Sequence, residues 1–239
     1  MLTSLSALVA LAILAGGQTF GSLSGSVVDP LGAVLPNAPV TLVQPARQAR
    51  YEVRTDRTGR FEFQGLVPGD YQLEASTAGF QTYRDAITVT GQTMQRLITL
   101  KIGRLHETIT ITDSDAPPSG SGAPVSWVEP PCPGSPNGSV EGNPDPAIGG
   151  NLRPPRKLRD AKPIYPFGLR GTGRDQTVVV DAVVGLDGTL KEFQPREPVD
   201  PVFYDALVQA LRDWRFSATM LNCVPQEVEM TITASFVHR

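Results

Sequence analysis

The residues that could catalyse a reaction do not form a recognisable catalytic arrangement in this sequence. Serine-rich stretches occur at residues 21–25 and 118–122, but neither has the glycine–x–serine–x–glycine frame of a nucleophile elbow. Neither His106 nor His238 lies in a context typical of a catalytic triad, and no glycine-rich phosphate loop follows a predicted strand. The sequence therefore predicts a protein without enzymatic activity and without a cofactor.

The two cysteines, Cys132 and Cys223, are the residues with redox and metal-binding chemistry. Both histidines are far from them in the sequence, without the ligand spacing of a zinc site, so we predict no metal. In an exported protein the two cysteines could form a disulfide. Such a bond would lower the conformational entropy of the unfolded chain and so stabilise the folded state by about 4–5 kcal/mol. Two free thiols are the alternative, because no sequence rule establishes the geometry of a bridge.

Besides catalysis and cysteine chemistry, the sequence offers one more possibility: the last predicted strand could bind another strand. Side chains alternate without a break over residues 228–237, which is the pattern of a half-buried strand. The apolar face comprises Val228, Met230, Ile232, Ala234 and Phe236, and the polar face Glu229, Thr231, Thr233 and Ser235. At the edge of a sheet, such a strand would offer unpaired backbone amide and carbonyl groups to an extended peptide.

A helix and a second strand must position this terminal strand. Asp200 is suited to cap the start of a helix and Pro201 to occupy its first position. Apolar residues then recur at three- and four-residue spacing, and a helix with such a stripe must cover a sheet. Alternating strands at 177–185 and 227–237 supply that sheet. We therefore predict a small α+β domain over residues 156–239, built as an antiparallel sheet with one packed helix.

The order of the segments in this domain resembles that of the C-terminal domain of TonB-family proteins. The segments that carry the resemblance are Tyr165-Pro166, the strand at 177–185, the turn Asp187-Gly188, the strand at 189–194, the helix at 201–213, Trp214-Arg215-Phe216 and the strand at 227–237. Two departures concern loops: the glycine-rich approach at 171–175, and Cys223 where the family usually has glycine. Trp214 and Phe216 are assigned to core packing.

TonB-family C-terminal domains bind a short segment, the TonB box, near the start of outer-membrane receptors. The resemblance implies the partner-binding residues Tyr165, Pro166, Glu229, Thr231, Thr233 and Ser235. The alternative for Tyr165 is that it fastens the arm of the domain to the sheet. The implied partner is an outer-membrane TonB-dependent receptor or another strand-donating envelope protein, in the context of transmembrane transport, and a homodimer is left open.

Residues 21–112 contain short alternating strands between glycine, proline, asparagine and aspartate turns, which predicts an all-β sandwich. The segments at 25–29, 35–42, 59–63, 69–73, 78–80 and 89–92 resemble the carboxypeptidase regulatory-like domain, a seven-stranded sandwich related to transthyretin and to starch-binding modules. The alternative function is therefore a carbohydrate- or envelope-binding module that acts through the sandwich. Its aromatic candidates for stacking on a sugar are Tyr51, Phe80 and Tyr83, which core or turn packing explains equally well.

The segment at residues 107–112 has two interpretations. Its sequence, Glu-Thr-Ile-Thr-Ile-Thr, alternates as the last strand of the sandwich would, with Ile109 and Ile111 facing inward. It also resembles a TonB box, which receptors often carry just after a sandwich of this kind. In that case it would pair with a TonB-like edge, either that of this chain or that of another protein. We take the first interpretation as the expectation.

Composition divides the 239 residues into four parts. Residues 1–17 are mostly apolar, too few to span a bilayer, and end in small residues, which predicts a secretory signal cleaved before Gln18 or, alternatively, an inner-membrane anchor. Residues 18–112 are the predicted sandwich, residues 113–155 hold half of the 22 prolines and predict a disordered linker, and residues 156–239 are the α+β domain. Because the net charge is −3, a nucleic-acid partner is not expected. We predict a periplasmic protein.

Overall fold

The computed structural model describes residues 20–113 and 149–238, and the expectations for the signal segment, for Cys132 and for most of the linker lie outside these residues. The first part forms β1 (Gly21–Val28), β2 (Pro39–Gln44), β3 (Ala49–Arg54), β4 (Arg60–Leu66), β5 (Gly69–Ala75), β6 (Tyr83–Val89), β7 (Thr93–Thr99) and β8 (Leu105–Thr112). The second forms β9 (Leu152–Arg153), β10 (Lys157–Arg159), β11 (Gln176–Val184), β12 (Leu190–Pro195), α1 (Pro201–Leu211), β13 (Arg215–Phe216), β14 (Thr219–Leu221), β15 (Val224–Gln226) and β16 (Val228–Val237). None of the described helices is both long and apolar enough to cross a membrane.

Strands β1 to β7 form the two sheets of a β-sandwich. One sheet has the order β4-β1-β7 and the other has the order β3-β2-β5-β6. In the first sheet β7 runs parallel to β1, while β4 runs antiparallel to it. Alternating apolar side chains of both sheets meet in one core, whose fully buried members include Leu23, Leu42, Leu73 and Ile98. The period-two patterns in this part of the sequence therefore correspond to a sandwich, as predicted.

The C-terminal sheet has the order β12-β11-β16-β8, and α1 packs against it. The helix begins as its sequence predicts: the Asp200 carboxylate accepts a hydrogen bond from the amide of Val202 at 3.0 Å, and Pro201 is the first helical residue. The helix stripe is buried at Phe203, Leu207 and Leu211. A small α+β domain is therefore present, although one of its four strands comes from outside the predicted domain.

Strand β8 belongs to the C-terminal sheet, and the expectation that it closes the sandwich is wrong. It runs parallel to β16, from Leu105 opposite Met230 to Thr112 opposite Val237. Residues 100–104 connect it to the sandwich, and the last of them already bonds to the C-terminal sheet. The chain thus crosses between the two modules before the predicted linker begins. The cause is tertiary, because β8 alternates equally well for either sheet.

A hairpin of the C-terminal part extends in the opposite direction and docks on the sandwich. Strands β14 and β15 pair with each other, and β9 adds to β14 as a third strand. Leu221 at the tip of the hairpin is fully buried in the sandwich core, and Leu152 of β9 packs against the same core. Because β9 falls within the predicted linker, the end of that segment is ordered and the prediction of disorder is wrong there.

The hairpin turns at Asn222 and Cys223, whose φ angles are 50° and 66°. Two successive positive φ angles are typical of a type I′ turn, in which glycine usually occupies the second position. Cys223 therefore places a side chain where the backbone favours glycine. Cys223 is disulfide-bonded, and the one other cysteine of the sequence, Cys132, lies outside the described residues.

A buried carboxylate receives the tip of this hairpin. Asp29, directly after β1, is 0% exposed and accepts hydrogen bonds from the amides of Leu31 and Ala33. Its other oxygen accepts a hydrogen bond from Nδ2 of Asn222 at 2.6 Å. A buried charge is costly unless its oxygens are hydrogen-bonded. Asn222 therefore completes the environment of Asp29 and couples the hairpin to the sandwich.

Asn222→Gly should lower the free energy of unfolding by about 1–3 kcal/mol, because glycine keeps the positive φ but removes two hydrogen bonds, the one donated to the buried Asp29 carboxylate and the one accepted from the amide of Asn151. The measurement is urea unfolding followed by circular dichroism. Asn37→Gly is the matched control, since Asn37 also has a positive φ, of 58°, and bonds Arg54 and Thr55 through its backbone. The control should stay within about 0.5 kcal/mol, and equal effects of both substitutions would contradict the role of Asn222.

Candidate functional site

Strand β16, which was predicted to recognise a partner, is paired on both sides within the described residues. Strand β11 runs antiparallel to it from Gln176 opposite Phe236 to Val184 opposite Val228, and β8 lies on its other side. The expectation of an open edge at β16 is therefore wrong for this conformation. The sheet ends instead at β8 on one side and at β12 on the other.

Two of the polar residues predicted to bind a partner face neighbouring strands of their own chain. Thr233 is half-buried and lies opposite Thr108 of β8. The Ser235 hydroxyl is 3.3 Å from the hydroxyl of Thr177 on β11. Cross-strand pairs of this kind stabilise a sheet. In this conformation both side chains therefore form cross-strand pairs within their own sheet.

The other two predicted residues, Glu229 and Thr231, belong to an ion-pair cluster that holds the start of β8. Arg104 donates to Glu229 at 2.5 Å and to Asp181 at 3.2 Å. Asp181 also accepts hydrogen bonds from Thr231 at 2.7 Å and from Arg196 at 2.8 Å. Burial alone would raise the pKa of Asp181, but the hydrogen bonds and the two arginine charges outweigh burial and lower it. The resulting stabilisation is present above about pH 4 and is lost as the pH falls through the lowered pKa.

On the inner side of β8, Glu107 meets a lysine that is largely withdrawn from water. The ammonium of Lys157 is 3.6 Å from the Glu107 carboxylate and 3.3 Å from the centre of the Trp214 ring. The Lys157 side chain is 19% exposed, whereas Asp160, its second acidic neighbour at 3.5 Å, is 62% exposed. An ammonium over an indole is attracted by the ring quadrupole, and an acid beside it offsets its lost hydration. The environment of Glu107 therefore favours a negative charge at that position.

Few apolar contacts hold β8 in the sheet. Ile111 is fully buried, while Leu105 and Ile109 are partly buried against the core of the C-terminal sheet. In β16, by contrast, the whole inner face is buried: Val228, Met230, Ile232, Ala234 and Phe236. Because full burial of an aliphatic side chain contributes about 1.5–3 kcal/mol, β8 can leave the sheet at a much lower cost than β16.

Tyr165 lies in the core, and Pro166 lines a groove along α1. The Tyr165 ring contacts Phe203 and Phe236 edge-on, with ring centres 5.7 and 6.2 Å apart. Its hydroxyl donates to the carbonyl of Arg174, and burial raises the pKa of Tyr165. Pro166 is half-buried beside a groove of about 330 Å³. The structure thus places Tyr165 where it fastens the arm to the sheet.

Ile111→Ala should loosen β8 selectively, because it deletes the fully buried side chain of that strand at a cost of about 2–5 kcal/mol. Hydrogen exchange measured by mass spectrometry should become about tenfold faster or more over residues 105–112, while β11 keeps its protection. Ile98→Ala removes the same atoms from the sandwich core and is the matched control. It should accelerate exchange in β1 and β7 and not in β8, and the reverse pattern would contradict this account.

The sandwich carries a larger groove, with a volume of about 890 Å³. It crosses the three-stranded sheet, and its floor is the central strand, β1. Residues opposite one another in a ladder point to the same face, so the short serine side chains of β1 lie between longer ones on both sides. The two rows are Glu62, Ser24, Gln95 and Arg60, Ser26, Leu97.

Most side chains of this groove are polar and exposed. Leu97 is an exposed apolar residue of the groove, at 69% exposure, while Val53 and Phe61 line it from partly buried and buried positions. Asp56 also lines the groove and accepts hydrogen bonds from the amides of Arg60 and Thr58, which lower the pKa of Asp56. The groove therefore combines hydroxyl, amide and charged groups with one exposed apolar side chain.

The three aromatic residues considered for sugar stacking face the sandwich core. Phe80 is 9% exposed, and Tyr51 and Tyr83 pack, partly buried, against the same core. The alternative interpretation of the three residues, packing in the core, describes where they lie.

Sequence reasoning missed Arg104, Glu107 and Lys157 as a group. Arg104 directly precedes an alternating segment, and Lys157 lies in the basic stretch at 153–162, which is typical of a solvated linker. Their partners are far away in the sequence. The alternation of residues 105–112, taken together with its resemblance to a TonB box, was the available signal for a strand that pairs with β16.

Residues 22–101 match the carboxypeptidase regulatory-like domain family. The match covers β1 to β7 and ends before β8, and it confirms the prediction for the sandwich. No curated protein matches the chain significantly.

Several solved structures are similar to part of the chain. They include a minor pilin of Streptococcus agalactiae (20% identity, TM-score 0.32, 36% of this chain and 46% of the pilin), a putative carbohydrate binding protein of Pseudomonas aeruginosa (21%, 0.28, 34% and 88%) and a catechol 1,2-dioxygenase of Pseudomonas arvilla (13%, 0.32, 36% and 53%). The chain spans about half the length of the pilin and of the dioxygenase. Similarity at this level carries no information about activity or ligand.

Proposed function

We propose that this chain is a non-enzymatic, exported binding protein of the bacterial cell envelope, which holds a carbohydrate in the groove of its sandwich. The observation that carries the proposal is the groove of about 890 Å³ over β4, β1 and β7. The family matched by residues 22–101 supports a non-catalytic module, because by resemblance such a domain accompanies enzymes and has no active site of its own.

The groove offers the groups that bind sugar hydroxyls. The hydroxyls of Ser24 and Ser26 and the amide of Gln95 both donate and accept hydrogen bonds, and the Glu62 carboxylate accepts them. The exposed side chain of Leu97 offers an apolar surface to the C–H face of a sugar ring. Binding sites for small molecules typically combine a few polar groups that orient the ligand with apolar contact.

Ser24→Leu should weaken carbohydrate binding at least about tenfold, because a leucine would fill the floor of the groove and remove a hydroxyl. The full chain is first screened on an array of bacterial envelope and plant polysaccharides, and the best ligand is then titrated by calorimetry. Arg60→Ala and Gln95→Ala are further groove variants, and each should lose affinity.

Gln72→Leu is the matched control, because Gln72 is exposed on β5 of the opposite sheet. It introduces the same side chain outside the groove and should leave the affinity unchanged. Equal affinities of Ser24→Leu and Gln72→Leu would contradict the groove as the site. A full chain that retains no glycan from the array would contradict the carbohydrate proposal itself.

The parallel pairing of β8 with β16 favours a second candidate function. We propose that the flank of β16 binds an extended strand of another envelope protein when β8 leaves it, in the manner of TonB-family C-terminal domains. The order of the segments in residues 156–239 supports this proposal. So does the sequence of β8, Glu-Thr-Ile-Thr-Ile-Thr from Glu107 onward, which resembles a TonB box. The partner would be an outer-membrane TonB-dependent receptor, and the context energy-dependent transmembrane transport.

A disulfide between β8 and β16 should abolish such binding. Thr108 and Thr233 are directly opposite in the parallel ladder. Neighbouring strands lie about 4.8 Å apart, which is within the range of Cα–Cα distances that a disulfide can bridge. The doubly substituted chain, Thr108→Cys with Thr233→Cys, should bind a fluorescent peptide of residues 103–113 when the new bond is reduced and lose at least about tenfold in affinity when it is oxidised. Fluorescence anisotropy measures the difference.

The matched lock is Ser22→Cys with Thr93→Cys, which joins the parallel strands β1 and β7 of the sandwich. This second lock should leave peptide binding unchanged in both redox states. Peptide binding that is the same with β8 locked and unlocked would show that the flank of β16 is not the site.

A further inference from the structure

We propose that the flank of β16 selects its strand by charge at two positions, and that β8 displays the required pattern. The pattern is a basic residue at the position of Arg104, an acidic residue at the position of Glu107, and aliphatic residues at the positions of Leu105, Ile109 and Ile111. The partner is then an extended segment of another protein, parallel to β16, that carries this pattern. The inference rests on the second candidate function and adds the chemistry of its ligand.

The basic position is defined by two carboxylates on the outer face of the sheet. Arg104 bonds both Glu229 and Asp181. If β8 left, Asp181 would keep its bonds to Arg196 and Thr231, but Glu229 would lose the guanidinium at 2.5 Å. The flank without β8 therefore leaves the Glu229 carboxylate, whose side chain is 56% exposed, without its arginine, and an incoming arginine or lysine restores the ion pair.

The acidic position is defined by Lys157 on the other face. Its ammonium is 19% exposed and lies on the Trp214 ring, and Glu107 is its less exposed acidic neighbour. A second cation at the position of Glu107 would lie against a partly desolvated like charge, which is strongly unfavourable. The two charge requirements have opposite signs and lie on opposite faces, so together they also define the register of the strand.

The aliphatic positions follow from the core of the C-terminal sheet. Ile111 lies opposite Phe236 and Ile109 opposite Ala234, on the face that packs against Tyr165 and Phe203. A polar side chain at the position of Ile111 would be buried without a partner, at a cost. The outer positions, such as Thr108, are exposed and impose no requirement.

The opposite edge of the sheet does not compete for a partner strand. Strand β12 has a register irregularity against β11 between Asp181 and Val183. Glu192 has a φ of 59°, and Pro195 ends the strand without an amide hydrogen. Irregular edges of this kind oppose the addition of a further strand. A strand that replaces β8 on the flank of β16 therefore meets no competing site at β12.

The test uses the full chain with a weakened resident strand, Ile109→Gly with Ile111→Gly, and labelled peptides of residues 103–113. The unchanged peptide should bind, and peptides with Arg104→Glu or Glu107→Lys should bind at least about tenfold more weakly. A peptide with Thr108→Lys is the matched control, because it adds a charge at an exposed position, and its affinity should stay within about twofold.

Charge exchange on the chain separates recognition from a general effect of charge. Adding Lys157→Glu to the weakened chain should restore binding of the Glu107→Lys peptide and weaken binding of the unchanged one. Glu229→Lys should do the same for the Arg104→Glu peptide. Circular dichroism checks that each chain is folded, and the two exchanges are independent, so a misfolded variant in one pair leaves the other decisive.

The outcomes distinguish the two levels of the proposal. If all peptides bind equally, or if neither exchange restores binding, strand exchange stands and selection by charge is overturned. If no peptide binds the weakened chain at a millimolar concentration, the strand-binding function is overturned and the pattern with it. Restored binding in either exchange supports selection by charge.

Discussion

The pairing of β8 with β16 is the constraint on which the rest of the structure depends. Without β8, a ten-residue strand with a buried inner face would expose one row of backbone amide and carbonyl groups to water or to another chain. The chain satisfies these groups with a strand that directly follows the sandwich. As a result, the segment that directly follows the sandwich completes the C-terminal sheet, and the two modules are not separate domains joined only by a linker.

A second connection runs in the opposite direction, from the C-terminal part to the sandwich. The hairpin β14–β15 inserts Leu221 into the sandwich core, and Asn222 supplies a hydrogen bond to the buried carboxylate of Asp29. Each module therefore contains an element from the other. This arrangement has two consequences for function. The sandwich that carries the groove is stabilised by contacts with the C-terminal part. If β8 is displaced, the hairpin contact remains and holds the two modules together.

Much of the local structure follows from residue pattern. The cap at Asp200, the helix stripe at Phe203 and Leu207 and the alternation in β11 and β16 are short-range features, and the structure has each of them. The candidate site could be predicted from the sequence less well. Thr231 and Ser235 were correctly placed on the outer face of β16, but β8, one of the two neighbours of that strand, lies more than a hundred positions away, which no local pattern contains.

The sequence alone determined the kinds and order of the longer elements, the inner faces of β11 and β16 and the presence of a regulatory-like sandwich, because these depend on side-chain periodicity and turn chemistry within short windows. Only the tertiary structure decided which sheet receives β8, that β16 has no free edge, and that Lys157 meets both Trp214 and Glu107. An alternating strand can pair with any sheet that offers an unpaired edge and a matching apolar face. Which of the two sheets β8 joins therefore depends on how well its whole surface fits each sheet in the folded chain.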